Sequence, residues 1–291
     1  MKNIKFGIVI LILIFFGSIC LSEKEYLEFD DKIYSQVVLP LSFINGLPVV
    51  EVKIQEKTLK LILDTGADHA TFEIMPKSLK DINVDYLDNE SASLDVFGNY
   101  YHKRYFRIPV IQMGKLRFVN FIAGEELRDF LPNGVDGIIG NKFLQEFYVL
   151  IDYKKGKLTL YPKKEYPKKL GLNKWETVNF EHNNIGIILT VKIEAFGREL
   201  KLCLDTGCGS NRKKGKFGLL YSNYISELAE ENNSFLEYDH VLINGIDLGR
   251  TTFWVVDFKE PPVDGFLGDN FFTKYKVFID FVDEILFVKE Y

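Results

Sequence analysis

Apolar and polar residues alternate along this chain in short runs rather than at helical spacing. In "LKLILDTG", residues 59–66, Leu59, Leu61 and Leu63 share one face of a predicted strand that ends in Asp-Thr-Gly. The pattern returns in "LKLCLDTG", residues 200–207, with Leu200, Leu202 and Leu204 on the strand face. Elsewhere, runs rich in Val, Ile, Phe and Tyr are separated by Gly, Asn and Asp turns. "SLDVFGNYYHKRYFRIPVIQMG" reads as a hairpin turning at Gly98-Asn99. Helical spacing is sparse, and "YSNYISELAEEN" (221–232) is the best candidate for a helix. The pattern predicts an all-β protein.

The recurrence extends well beyond eight residues. "GLPVVEVKIQEKTLKLILDTGAD" (46–68) has a counterpart in "IGIILTVKIEAFGRELKLCLDTGCG" (185–209). "VDGIIGNKFLQEFYVLIDYKKGKLTL" (135–160) aligns without gaps on "VDGFLGDNFFTKYKVFIDFVDEILFV" (263–288), with about a third of positions identical. Two blocks in the same order in both halves indicate an internal duplication. Between the halves, "YPKKEYPKKLGLNKW" (161–175) carries two Tyr-Pro-Lys-Lys units and reads as a solvated linker. The expected organisation is two related barrel-like lobes, 23–160 and 176–291, with a cleft between them.

Residues 1–22 stand apart. Lys2 and Lys5 precede an uncharged apolar run over 6–19, then Cys20, Leu21 and Ser22 lead into "EKE". The run is shorter than the roughly 20 residues a spanning helix needs, so the segment reads as a signal peptide and the protein as exported. Cys20 sits where a lipoprotein would be acylated, although "GSI" before it matches the usual recognition box poorly. Membrane association is expected only through the signal or such an anchor.

Composition narrows the chemistry. The chain of 291 residues is 47% hydrophobic and 26% charged, with a net charge of -5 that becomes about -7 once Lys2 and Lys5 are removed. A mildly acidic surface argues against a nucleic-acid partner. Cys203 and Cys208 are too few for a disulfide framework and read as unpaired, buried small residues. His69, His102, His182 and His240 lack metal-ligand spacing, so no metal is expected. Asn89 and Asn232 head Asn-x-Ser triplets, relevant only in a host that glycosylates exported proteins.

The candidate chemistry lies in the doubled Asp-Thr-Gly. Each strand delivers an aspartate, Asp64 or Asp205, into a tight turn permitted by Gly66 or Gly207. Thr65 and Thr206 supply hydroxyls able to bond backbone across to another loop. Two related lobes facing each other would bring the carboxylates together. Like charges in contact cannot both ionise, so such a pair holds one proton between them. One site then contains both a base for water and an acid for a carbonyl oxygen.

"LILDTGAD" followed by "VDGIIG", and "LCLDTGCG" followed by "VDGFLG", resemble the active-site loops and glycine-loop elements of aspartic proteases. In that family a hydrophobic-hydrophobic-Gly segment braces each loop; Ile138-Ile139-Gly140 and Phe266-Leu267-Gly268 match it. "DTGAD" is similar to the retropepsin-like branch, whereas two copies in one chain follow the bilobal pepsin-like plan. The resemblance implies Asp64 and Asp205 as the catalytic pair, a peptide or protein substrate, and no metal or organic cofactor. It also implies activity as a monomer, because both half-sites lie in one chain.

This sequence departs from the pepsin-like pattern immediately after each Asp-Thr-Gly. A hydroxyl residue usual there is replaced by Ala67 and Cys208, removing hydrogen-bond donors to the carboxylates. Such a loss favours activity nearer neutrality. Phe97, Gly98, Asn99, Tyr100 and Tyr101 form a candidate substrate flap, or else an ordinary surface hairpin. The basic cluster Arg212, Lys213, Lys214 and Lys216 suits either acidic substrate residues or a solvated loop. A catalytically inactive protein of the same fold that binds peptides or protein partners is the alternative reading.

Overall fold

The computed structural model of the protein describes residues 28–29, 36–67, 71–94, 100–127, 131–164, 166–183, 186–211, 215–257 and 263–291. The signal segment, Cys20, His69 and the flap residues Phe97, Gly98 and Asn99 lie outside the described residues. Among the described residues, no helix is long and apolar enough to cross a membrane.

Three large sheets make the fold, an all-β architecture of two barrel-like lobes. In the first half, nine strands wind into a barrel that closes where Tyr100–Met113 pairs with Leu116–Glu125. In the second half, nine strands form an open half-barrel. The third sheet has six strands and is shared. Phe147–Asp152 of the first half pairs antiparallel with Tyr275–Asp280 of the second, through Val149 opposite Ile279 and Ile151 opposite Val277. These two strands belong to the matched blocks at 135–160 and 263–288, so the duplicated element pairs with its own copy. Lys276 of one half forms an ion pair with the buried Asp152 of the other at 3.0 Å.

Strand alternation produces the core directly. In Leu47–Ile54, Val50, Val52 and Ile54 enter the main cluster while Glu51 and Lys53 face solvent. Across the barrel, Leu59, Leu61 and Leu63 pack into that same cluster, as do Leu200, Leu202 and Leu204 of the second half. The off-register residues of those strands point the other way. Ile62 joins Ala67, Val135 and Ile138 in one satellite cluster, and Cys203 joins Cys208, Val263 and Phe266 in another. Each Asp-Thr-Gly turn is therefore packed from both sides.

Two sequence expectations change. The 221–232 stretch is not a helix: the strand Gly218–Tyr221 ends there and only a 3-10 turn, Ser226–Leu228, follows. Buried Tyr221, Ile225 and Leu228 imitate helical spacing. However, the N–H groups of Tyr221 and Ser222 donate to Asp264 and Val256 carbonyls (both 2.9 Å), which fixes the start of the segment in sheet geometry. Nor is 161–175 a freely solvated tether. A strand continues through Pro162, Tyr161 and Leu172 are buried, and Tyr166 packs edge-on against Tyr148 at 5.2 Å. Aromatic anchoring outweighs the polar composition of the segment.

Candidate active site

The two loops are built by the same steps. Lys57–Leu63 lies parallel to Gly137–Ile139, and Leu200–Leu204 lies parallel to Gly265–Leu267, in equivalent registers. Asp64 N–H donates to Ile139 O (2.9 Å), and Asp205 N–H to Leu267 O (2.8 Å). The Val-Asp-Gly aspartates also match: Lys60 N–H donates to Asp136 Oδ2 and Lys201 N–H to Asp264 Oδ2, each at 2.8 Å. Past the turns, Asn141 N–H donates to Ala67 O (2.9 Å) and Asp269 N–H to Cys208 O (3.1 Å). Gly140 and Gly268 thus sit where each hydrophobic-hydrophobic-Gly strand hands over to its loop.

The threonines cross between the halves. Thr65 Oγ1 donates to Leu204 O (2.8 Å) and accepts from Thr206 N–H (2.9 Å). Reciprocally, Thr206 Oγ1 donates to Leu63 O (2.6 Å) and accepts from Thr65 N–H (3.0 Å). All four bonds are buried, where an unmade bond is expensive, so the loops are locked to one another. Each aspartate accepts an N–H from the glycine two residues on, Asp64 Oδ1 from Gly66 (3.0 Å) and Asp205 Oδ1 from Gly207 (2.6 Å).

Gly66 touches both carboxyl groups. A Cβ added there would stand 2.6 Å from Asp205 Cγ and 2.8 Å from its Oδ2. The aspartates of the two halves therefore meet across this glycine, both fully buried. Gly66→Ala is expected to displace Asp205 and to lower stability by about 1–3 kcal/mol. Thermal melting would check the effect; an unchanged melting temperature would remove the close approach from the account.

Ala67 and Cys208 occupy equivalent places, both wholly buried. Cys203 and Cys208 are not joined in a disulfide, and burial, with the Asp205 charge behind it, pushes the Cys208 thiol well above its ordinary range. It is a neutral thiol under ordinary conditions. No group of His, Cys, Asp and Glu suited to a metal occurs among the described residues.

The candidate flap has its two arms, Asp85–Leu94 and Tyr100–Met113, paired from Leu94 opposite Tyr100 to Asp85 opposite Arg107, with a bulge between Tyr86 and Glu90. At their base are residues that strand periodicity did not single out. Lys103 on the second arm forms a buried ion pair with Glu73 of the strand Phe72–Ile74. Glu73 stands opposite Ile138, next to the Ile139 that holds the Asp64 backbone. Beside it, Arg104 grips the buried Glu125 with two bonds (2.7 and 3.2 Å) and lies over the Tyr86 ring at 4.3 Å. The available signal was a charged residue inside a buried apolar triplet, Phe72-Glu73-Ile74.

The duplication is also broken at one informative place. Asn141 Nδ2 donates to Thr65 O at 2.6 Å, whereas the aligned residue in the second half is Asp269, a buried carboxyl. An amide and a carboxyl at equivalent positions make the two loops electrostatically unequal.

No family model matches the sequence, and no curated protein matches it. Solved structures do. The aspartic proteinase from Irpex lacteus superposes with a TM-score of 0.57 at 13% identity, covering 88% of this chain and 97% of that one. Basic 7S globulin from soybean superposes with a TM-score of 0.56 at 12% identity, covering 87% and 94%. One neighbour is named a proteinase and the other a globulin, so the likeness carries the pepsin-like fold and not an activity.

Proposed function

We propose that this protein is an aspartic endopeptidase in which Asp64 and Asp205 activate a water molecule against a peptide bond. The observation that carries the reading is the meeting of the two aspartates at Gly66 under the reciprocal threonine bonds. One carboxylate takes a proton from water as its oxygen attacks the carbonyl carbon. The other carboxyl group, holding the shared proton, gives it to the carbonyl oxygen. Collapse of the tetrahedral adduct breaks the C–N bond, with a proton returned to the leaving nitrogen. No covalent enzyme intermediate, metal or organic cofactor is needed.

The Asp-Thr-Gly-Ala loop is retropepsin-like in sequence while the single duplicated chain is pepsin-like in plan. Thr65, Gly66, Thr206, Gly207, Ile139, Gly140, Leu267 and Gly268 act as loop supports, and Phe97, Gly98, Asn99 and Tyr100 as the tip of a substrate flap. The enzyme works as an exported monomer, its segment 1–22 acting as the export signal with Cys20 a lipidation candidate.

A second reading, a catalytically inert peptide-binding protein, is favoured by the complete burial of both aspartates. Digestion of an unfolded protein from about pH 3 to 7.5 separates them. Cleavage with a bell-shaped pH profile, blocked by a peptide analogue carrying a tetrahedral hydroxyl at the scissile position, is the expected result. A folded monomer that binds the analogue and cuts nothing at any pH would favour the inert protein.

A further inference from the structure

We infer that the crevice between the lobes, beside the second Asp-Thr-Gly loop, is an accessory site for an acidic side chain of the bound peptide; this rests on the reading of the neighbouring loops as a peptide cleft. The crevice has a volume of about 490 Å³ and draws its walls from both halves. Phe43 and Tyr153 come from the first lobe, Lys216 and Asp269 from the second, and Lys154 and Tyr291 complete the rim.

Its position follows from the backbone. Asp269 N–H donates to Cys208 O (3.1 Å), and Cys208 N–H to Asp205 O (3.3 Å), so one wall is a single residue removed from the catalytic loop. Lys216 belongs to a strand, Gly215–Lys216, paired with Ser210–Asn211 directly after that loop. The opening therefore lies beside the Asp205 loop, next to the proposed peptide cleft.

Its chemistry is donor-rich. The Tyr153 hydroxyl is buried in the crevice and makes no hydrogen bond. Burial, with the Asp269 charge behind it, holds that phenol well above its ordinary range, so it remains a proton donor. Lys154 lies over the Tyr291 ring at 5.6 Å, and among the described residues neither Lys154 nor Lys216 has a carboxylate within ion-pair distance. Two ammonium groups without a carboxylate partner and a hydroxyl without a hydrogen bond call for an acceptor.

Asp269 is the opposing charge. It is almost wholly buried, and the Thr273 hydroxyl bonds its carbonyl at 2.5 Å, so it closes the inner wall. Repulsion from Asp269 at the inner wall leaves the lysine side of the crevice as the place for a visiting carboxylate. Phe43 and Tyr291 flank the aliphatic stem of such a side chain.

The test uses the purified protein and fluorogenic peptides carrying Glu or Gln at each of the four positions on either side of the scissile bond. At one position Glu should be preferred over Gln by on the order of tenfold in kcat/KM, a preference that shrinks with added salt. In Lys154→Met, Lys216→Met and Tyr153→Phe that ratio should fall towards one, with melting temperatures confirming that each variant is folded. Lys216→Gln serves should the methionine variant not fold. If nothing is cleaved, anisotropy titration of the same peptides takes over. Tighter binding of one Glu peptide would support the site while sinking the protease. Equal handling of Glu and Gln at every position, or a preference that survives loss of both lysines, would overturn the inference.

Discussion

Asp64→Asn and Asp205→Asn should each lower cleavage of an unfolded protein by at least about a thousandfold, while leaving the fold intact. The asparagine is nearly isosteric with the carboxyl it replaces and keeps an oxygen for the Gly66 or Gly207 N–H that now bonds Oδ1. What it cannot do is share a proton. In the proposed reaction one partner accepts a proton from water and the other supplies one to the carbonyl oxygen, and each task contributes about 10²–10⁴ in rate. Because the two act as a unit, the double variant should be scarcely slower than either single one. Melting temperatures should hold or rise, since each change removes a buried carboxyl facing another. Residual activity above a tenth of the parent in either single variant would show that the pair does not carry the chemistry.

The fold was legible in the sequence because duplication wrote it twice. Alternating leucines gave the strand faces, and the matched Val-Asp-Gly blocks marked the segments beside Asp64 and Asp205, whose parallel pairing the structure supplies. Mutual threonine bonding also lay within reach, since a buried hydroxyl must find an acceptor. Two things escaped for physical reasons. Apolar spacing at Tyr221, Ile225 and Leu228 is common to a helix and to a strand end followed by a 3-10 turn. The spacing does not reveal that the Tyr221 and Ser222 amides are taken by the carbonyls of Asp264 and Val256 in two neighbouring segments. The shared six-stranded sheet depends on contacts between halves, to which local patterns are blind. The same holds for the crevice at Tyr153: Phe43, Lys154 and Lys216 are far apart in the chain and meet only through topology.

Loss of one member of the Glu73–Lys103 pair should cost about 3–5 kcal/mol, the second large effect expected of this structure. Both side chains are almost fully buried, at 3% and 2% exposure, so removing either leaves the other's charge in the protein interior without this ion pair. Glu73→Gln and Lys103→Met should therefore each lower the melting temperature by many degrees. A double change, Glu73→Leu with Lys103→Met, removes both charges and fills similar volume, and most of the stability should return. Activity should not return with it. Lys103 sits on the second arm of the candidate flap, and Glu73 pairs opposite Ile138, beside the residue that holds the Asp64 backbone. The ion pair fixes a direction between those elements that two apolar side chains do not specify, so kcat/KM in the stable double variant should stay at least about tenfold below the parent. A double variant as active as it is stable would reduce the pair to a structural contact with no part in positioning the hairpin.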